Sequence, residues 1–182
     1  MARRGTLVKI LAILIPGGLL IIAAWWLSRY VRSLLGVLTN MPDMPLGIRL
    51  NNPMNLSYRD QNGNPIPWVG LTGYGMDANG KSVAKFDTSV NGIRAGVRNF
   101  RGYGLNTLGA IAAQWVGDPD EQSDYVENAA FGSGLNPSTV LDLNDPQTCV
   151  KVAKGIVTAE EGKGPWYSDA TYLAGVNAAG VM

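Results

Sequence analysis

The sequence contains no histidine and a single cysteine, Cys149, among 182 residues. The missing histidine excludes zinc peptidases and amidases built on histidine ligands, and it excludes hydrolases that depend on a Ser-His-Asp or Cys-His arrangement. One cysteine cannot form an intramolecular disulfide, and the apolar neighbours of Cys149 indicate a small buried side chain. Any hydrolytic chemistry must therefore rest on carboxylates, tyrosine or lysine, and we expect neither a metal nor a cofactor.

An excess of charge of one sign is also absent. The chain has 15 basic and 14 acidic side chains and a formal net charge of +1. Proteins that bind nucleic acid usually carry a basic patch or stripe. We therefore expect no nucleic-acid partner.

The longest apolar run is ILAILIPGGLLIIAAWWL, Ile10–Leu27, and it contains no charged side chain. Its 18 residues are about the minimum that crosses a bilayer as a helix. Bulky residues follow where a signal peptide would have a cleavage site, so the sequence predicts an uncleaved transmembrane anchor with an amphipathic extension over residues 1–35. Slightly more positive charge precedes the run than follows it, which favours a single-pass membrane protein with its C-terminal domain outside the cytoplasm. A lipid membrane is then an expected partner through Ile10–Leu27.

A linker is predicted over residues 36–45, where two prolines interrupt the pattern, and a globular domain is predicted over 46–182. Residues 47–90 are rich in Asn, Gly and Pro, which is typical of a small antiparallel β lobe with tight turns. From Ser89 onward the apolar spacing is helical. The predicted fold class is therefore α+β, a mostly helical domain with a small β lobe preceded by one transmembrane helix.

Four helices are expected within the segments SVNGIRAGVRNFRGY, LGAIAAQWV, SDYVENAAF and NDPQTCVKVAKGIVTAEEG. In the last, Asp145 is predicted as the N-cap and Pro146 as the first helical residue, with the helix ending near Gly162. Asn136 and Pro137 have the same pattern, an N-cap residue followed by proline, and predict the start of another helix.

Glu160 lies near the middle of the apolar arc of this last helix, four residues after Ile156 and seven after Ala153. Glu161 is expected at the edge of the arc. Glu160 could simply occupy a frayed helix end, because charged residues are seldom fully buried. It could instead be a partly desolvated carboxyl at the wall of a cleft, where a raised pKa keeps a proton available for a leaving oxygen.

Five segments resemble, in the same order, a phage and prophage family of virion-associated muralytic proteins. They are GIRLNNPMNLSYR (47–59), WVGL (68–71), FDTSVNGIRAGVR (86–98), AAQWVGDPDEQSDYV (112–126) and LDLNDPQTCVKVAKGIVTAEEGKGPW (141–166). The resemblance covers nearly all of residues 46–167. It implies a lysozyme-like domain, peptidoglycan as the substrate and, as further partners, other membrane or capsid proteins of the virion.

The resemblance also implies site residues. Glu160 matches the family's glutamate, whereas Glu161 replaces an asparagine of its Glu-Asn-Gly segment. Residues expected to bind substrate come from matched segments or from aromatic rings suited to sugar faces; they are Asn51, Asn52, Asn55, Trp68, Tyr74, Arg94, Trp115 and Tyr125.

The expected function is cleavage of the glycan strand by Glu160 as the acid and base, as in a lytic transglycosylase or a muramidase, during phage entry or release. A hydrolase needs a second carboxylate, and its candidates are Glu121, Glu161, Asp124 and Asp87. Because none is privileged, the single-acid mechanism is favoured. Two alternatives stay open: a non-catalytic structural protein of the virion with a lysozyme-like fold, and an endopeptidase that cuts the peptide cross-links.

Overall fold

A computed structural model describes residues 44–181, and a compact unit begins at Pro45. Its eight elements, in chain order, are α1 (Leu46–Arg49), β1 (Leu71–Met76), β2 (Ser82–Phe86), α2 (Ser89–Gly102), α3 (Leu108–Val116), α4 (Gln122–Ser133), α5 (Pro146–Glu161) and α6 (Asp169–Ala178). The described part of the chain is thus an α+β domain with six helices and one two-stranded sheet.

The predicted fold class included one transmembrane helix, and this part of the prediction is corrected. Ile10–Leu27 lies outside the described residues. Between residues 44 and 181, none of the helices has the length and apolar character needed to cross a bilayer. The fold class is therefore α+β, with no membrane-spanning helix among the elements just given.

The β lobe is a short antiparallel hairpin packed onto the first long helix. β1 pairs with β2 from Leu71 opposite Phe86 to Met76 opposite Ser82, with a bulge between Leu71 and Gly73. The buried side of the lobe consists of Leu56, Ala84 and Phe86, which pack with Ala95 of α2. This small core fixes the lobe against the helical part of the domain.

The helical part is centred on α5, whose buried residues are Cys149, Val150, Val152, Ala153, Gly155, Ile156, Val157 and Glu161. α4 approaches α5 closely because glycines face the neighbouring helix. A Cβ on Gly155 would lie 2.5 Å from the carbonyl oxygen of Ala129, and a Cβ on Gly132 would overlap Thr158. The close packing of α4 on α5 also brings Tyr125 of α4 within reach of the C-terminal end of α5.

The capping prediction for α5 is confirmed. The carboxylate of Asp145 accepts hydrogen bonds from the backbone N–H groups of Gln147 and Thr148, and Pro146 occupies the first helical position. Residues after Asn136 instead form a turn: the Asn136 side chain accepts from the N–H of Ser138, and Val140 then pairs with Thr107. The predicted helix start at Asn136 and Pro137 is therefore wrong. α6 was not among the predicted helices.

Removal of the cap of α2 provides a test of this helix assignment. Thr88 is the N-cap, and its hydroxyl oxygen accepts from the N–H of Asn91 at 3.3 Å. We expect Thr88→Ala to lower the free energy of unfolding by about 1 kcal/mol because one helical N–H loses its partner. Thr88→Ser keeps the oxygen and should stay close to the wild type in the same urea titration. Equal losses in both variants would contradict the capping role.

Candidate functional site

An open cleft of about 610 Å³ lies between the β lobe and the helices. The lobe contributes residues between Asn55 and Val83 to its wall, and the opposite wall comes from α2, α3, α4 and the C-terminal end of α5. The polar and aromatic side chains most relevant here are Asn55, Asn99, Tyr103, Trp115, Tyr125 and Glu160. We call this space the Glu160 cleft.

Glu160 is half-buried in the cleft, and each of its carboxylate oxygens has a protein donor. The hydroxyl of Tyr125 donates to Oε1 at 2.7 Å, and Nδ2 of Asn55 donates to Oε2 at 2.9 Å. The two donors come from α4 and from the segment between α1 and β1, and together they fix the carboxylate in one orientation. Glu160 is therefore a positioned carboxyl group that a ligand in the cleft can reach.

Tyr125 keeps its proton in this setting. Burial raises the pKa of Tyr125 far above its usual range, and the nearby Glu160 carboxylate raises it further. A protonated hydroxyl is a hydrogen-bond donor, and this one is directed at Oε1 of Glu160. Tyr125 therefore helps to hold the Glu160 carboxyl in place.

The position of Glu161 differs from the prediction that it lies at the edge of the apolar arc of α5. Only 7% of Glu161 is exposed, and it does not line the cleft, whereas Glu160 is the more accessible of the two. The prediction rests on the periodicity of α5 alone. In the structure, the segment around Gly47 covers the side of the helix end to which Glu161 points. Burial raises the pKa of Glu161 to about 8, the neighbouring Glu160 carboxylate adds to the increase, and contact with Asn55 offsets part of it.

Gly47 of α1 makes room for this arrangement. A Cβ at residue 47 would overlap Oε1 of Glu161 and would lie 2.6 Å from Oδ1 of Asn55. It would also lie 2.5 Å from the carbonyl oxygen of Asn52. Any other residue at this position must displace the side chains that support Glu160.

A methyl group at residue 47 should therefore damage both stability and the site. We expect Gly47→Ala to lower the free energy of unfolding by about 1–3 kcal/mol, the usual range for overpacking a filled interior. Gly102→Ala is a matched comparison for the assay, because its added Cβ meets no atom within 4 Å and the residue does not have a positive φ. A fully stable Gly47→Ala protein would contradict the close approach described here.

The structure brings five of the predicted site residues together in the Glu160 cleft. Asn55, Trp115, Tyr125 and Glu121 line it together with Glu160. The ring of Trp115 lies edge-on to Tyr103 at 6.2 Å between centroids. Glu121 is exposed at the cleft wall, and so it is the candidate second acid that remains in reach of a ligand.

Asn52 and Asn51 have structural contacts instead of the predicted substrate contacts. Asn52 is fully buried, and its Nδ2 donates to the carbonyl oxygens of Leu56 and Ala84. Asn51 has a φ of 55° and donates to the carbonyl oxygens of Phe86 and Asp87. Asn52 cannot touch a ligand, and the prediction for it is wrong; Asn51 does not line the cleft.

Trp68, Arg94 and Tyr74 also lie away from Glu160. Trp68 and Arg94 share a separate hollow of about 250 Å³ with Arg98. Tyr74 is 52% exposed and stacks on Tyr58 at 4.8 Å between ring centroids. None of the three predicted binding residues lines the Glu160 cleft.

Two residues of the Glu160 cleft, Asn99 and Tyr103, were not among the predicted site residues. Nδ2 of Asn99 donates to the hydroxyl of Tyr103 at 2.8 Å, and burial raises the pKa of Tyr103. They stand four residues apart on α2 and its C-cap, so they share one helix face. The sequence signal that could have identified them is an asparagine and a tyrosine at that spacing next to an apolar stripe. Residues 44–181 contain no group of three or more metal-binding acidic or cysteine side chains.

The chain is similar to a protein of a bacteriophage. Over 138 residues the chain is 30% identical to Protein P5 of Pseudoalteromonas phage PM2. The aligned region covers 72% of this chain and 80% of that protein. No protein-family model matches the sequence.

Proposed function

Because this chain belongs to the family of Protein P5 of Pseudoalteromonas phage PM2, we infer that it is a phage protein, and from the setting of Glu160 we propose that it degrades peptidoglycan. The bond that we assign to it is the glycosidic bond of the glycan strand. In this proposal the protein is part of the virion, and it opens the cell wall locally during entry or release of the phage.

The single observation that carries the proposal is the setting of Glu160. It is a carboxyl group in an open cleft, and both of its oxygens are held by donors on separate parts of the fold, Asn55 and Tyr125. A general acid must be within hydrogen-bond reach of the oxygen that it protonates. A fixed and accessible carboxyl satisfies that condition for a sugar chain lying in the cleft.

The surroundings of Glu160 suit a glycan. Trp115 and Tyr103 offer ring surfaces to the apolar faces of sugars, and their polar edges can accept or donate hydrogen bonds. Asn99 and the exposed Asn79 and Lys81 add donors along the same cleft. The lining combines rings and small polar groups with three acidic side chains and one lysine, so it matches an uncharged sugar backbone better than it matches a highly anionic polymer.

The proposed reaction needs one acid and no external nucleophile. Glu160 in its protonated form donates the proton to the glycosidic oxygen as the bond from that oxygen to C1 of the muramic sugar breaks. The C6 hydroxyl of the same sugar then attacks C1, and the Glu160 carboxylate accepts the hydroxyl proton. The products are a shortened strand with a free 4-hydroxyl and a 1,6-anhydro sugar, and Glu160 regains its proton.

Because Glu121 could act as a second carboxylate, hydrolysis is the second candidate reaction. It lines the same cleft, and a second carboxylate could activate a water molecule or attack C1 directly. The two reactions differ in their products: a hydrolase leaves a reducing end, which is heavier by one water than the anhydro sugar.

Digestion of purified peptidoglycan by the full-length chain tests the proposal. Soluble products are separated and their masses measured, beside a heat-denatured sample. Anhydromuropeptides are the expected result, and reducing-end muropeptides would replace the transglycosylase by the hydrolase. Products cut only in the peptide stems, or no products from a folded protein that binds peptidoglycan, would overturn glycan cleavage in favour of an endopeptidase or a non-catalytic wall-binding protein.

A further inference from the structure

Two buried oxygens beside the Glu160 cleft have no hydrogen-bond partner within residues 44–181. They are Oδ1 of Asn55 and Oε1 of Glu161. A buried polar atom left without a partner is destabilising by about 1–3 kcal/mol, and such atoms are rare in folded proteins. Two of them at one place require an explanation.

The two oxygens line the same small space beside Gly47. Both are within 2.6 Å of the point where a Cβ on Gly47 would stand. The other end of the same amide is already engaged, because Nδ2 of Asn55 donates to Oε2 of Glu160 at 2.9 Å. Asn55 therefore holds Glu160 through its nitrogen, while its oxygen shares the space beside Gly47 with Oε1 of Glu161.

The nitrogen of the Asn55 amide carries two N–H donors, but its carbonyl oxygen can only accept a hydrogen bond. A carboxyl that lies against this oxygen gives it a partner only when the carboxyl is protonated. Turning the amide around would only move this requirement from Glu161 to Glu160. In the orientation that the structure has, the proton belongs on Glu161.

The groups around Glu161 favour the neutral carboxylic acid. Burial and the Glu160 carboxylate raise the pKa of Glu161, and Asn55 lowers it in part. Glu161 is also close enough to raise the pKa of Tyr125 and of Tyr167. Burial raises the pKa of Tyr167 to about 12, so that hydroxyl stays neutral as well. None of these groups is cationic, and a buried carboxyl without a cationic partner is more stable in its protonated form.

We propose that Glu161 is a positioning residue that acts as a neutral acid: its carboxyl proton is donated to Oδ1 of Asn55, which fixes the amide with Nδ2 toward Glu160. One proton then gives both orphaned oxygens a partner. The contact of Asn55 with Glu160, and with it the orientation of Glu160, depends on that proton. The consequence for catalysis rests on the proposed function, whereas the protonation of Glu161 does not.

NMR titration of full-length protein labelled with ¹³C at the glutamate side chains tests the first part. We expect one carboxyl to titrate near pH 8 in the wild type and to be missing in Glu161→Gln. The side-chain amide signals of Asn55 should shift over the same pH range in the wild type and remain constant in the variant. A protein in which every carboxyl titrates below about pH 6, close to ordinary values, would overturn the inference whether or not the protein degrades peptidoglycan.

The pH profile of cleavage tests the second part. With a pKa of about 8, the protonated fraction of Glu161 falls about tenfold between pH 7 and pH 9, and wild-type activity should fall by a similar factor. Glu161→Gln presents an amide N–H to Oδ1 at every pH, so its profile should lack this step whatever its absolute activity. Glu161→Met fills the space without a donor and should lose at least about tenfold at pH 7.

The outcomes separate the two proposals. A pH 8 titration of Glu161 in a protein that cleaves no wall material overturns the proposed function and leaves the role of Glu161 toward Asn55 intact. An active protein whose Glu161→Gln variant keeps the wild-type pH step overturns the positioning role. Circular dichroism and urea unfolding of each variant identify a loss that comes from misfolding alone.

Discussion

Replacing Glu160 with glutamine lowers the rate of glycan cleavage by at least about 100-fold, the lower end of what a general acid and base contributes. Glutamine has nearly the same shape, and its carbonyl oxygen can still accept from the hydroxyl of Tyr125. It has no proton to give to the glycosidic oxygen and cannot accept one from the attacking hydroxyl. The variant should therefore fold and bind peptidoglycan like the wild type while releasing almost no product.

Two further variants complete this experiment. Glu127→Gln is the matched control, because Glu127 is an exposed glutamate on α4 that does not line the cleft. It should cleave at the wild-type rate. Glu121→Gln reports on the second carboxylate: a loss comparable to that of Glu160→Gln would indicate a two-carboxylate hydrolase. If Glu160→Gln retained wild-type activity, Glu160 would have no catalytic role.

The free energy of unfolding should fall as the pH rises from about 4.5 to about 8. Glu161 has an ordinary pKa of 4.5 that the folded protein raises to about 8. Within this window the unfolded chain releases the Glu161 proton while the folded protein keeps it, so the folded state binds more protons and each added pH unit favours unfolding. The slope is about 1.4 kcal/mol per unit, and the whole window amounts to roughly 5 kcal/mol at most.

Other carboxyl groups act in a different pH range. Hydrogen bonds from Asn91 lower the pKa of Asp87, and hydrogen bonds from Thr148 lower the pKa of Asp145. Their contribution to stability is present above the ordinary aspartate pKa and is lost only as the pH falls through their lowered values. They therefore do not obscure a decline between pH 4.5 and pH 8.

Urea unfolding at pH 5, 6, 7 and 8 measures the effect of Glu161. Wild-type stability should decline across the series, and Glu161→Gln should remove most of the slope because an amide does not titrate. At pH 8 the variant should be the more stable of the two proteins by several kcal/mol. Parallel curves for the two proteins would contradict the raised pKa of Glu161.

The helices were predictable where local signals agreed with the apolar spacing. Asp145 and Pro146 start α5 as expected, because a long apolar stripe follows them and packs against neighbouring helices. Asn136 and Pro137 carry the same signal, but Val140 pairs with Thr107 only three residues later, which leaves no length for a helix. α6 gave a weak signal, since only Tyr172 and Val176 are large buried apolar residues in it.

The site was less predictable because it depends on contacts between distant segments. The burial of Glu161 comes from the backbone around Gly47, more than 100 residues earlier in the chain, and no property of α5 alone reveals it. Similarly, Trp68 and Arg94 are plausible sugar-binding residues by type, but the packing of the lobe on α2 places them in a different hollow from Glu160. Glu160, Asn55 and Tyr125 were identified by resemblance and residue type, and the fold joins them by hydrogen bonds.

The hydrogen bond between Asn55 and Glu160 joins residues that are 105 positions apart in the sequence. During synthesis, Asn55 leaves the ribosome long before Glu160 exists, and the helix that will carry Glu160 also supplies the centre of the hydrophobic core. A growing or prematurely terminated chain that lacks α5 therefore has neither the acid nor the scaffold that holds it. Under the proposed function, wall-degrading activity can appear only when translation has passed Glu161 and the domain has closed, so an incomplete product poses no danger to the wall of the cell that makes it.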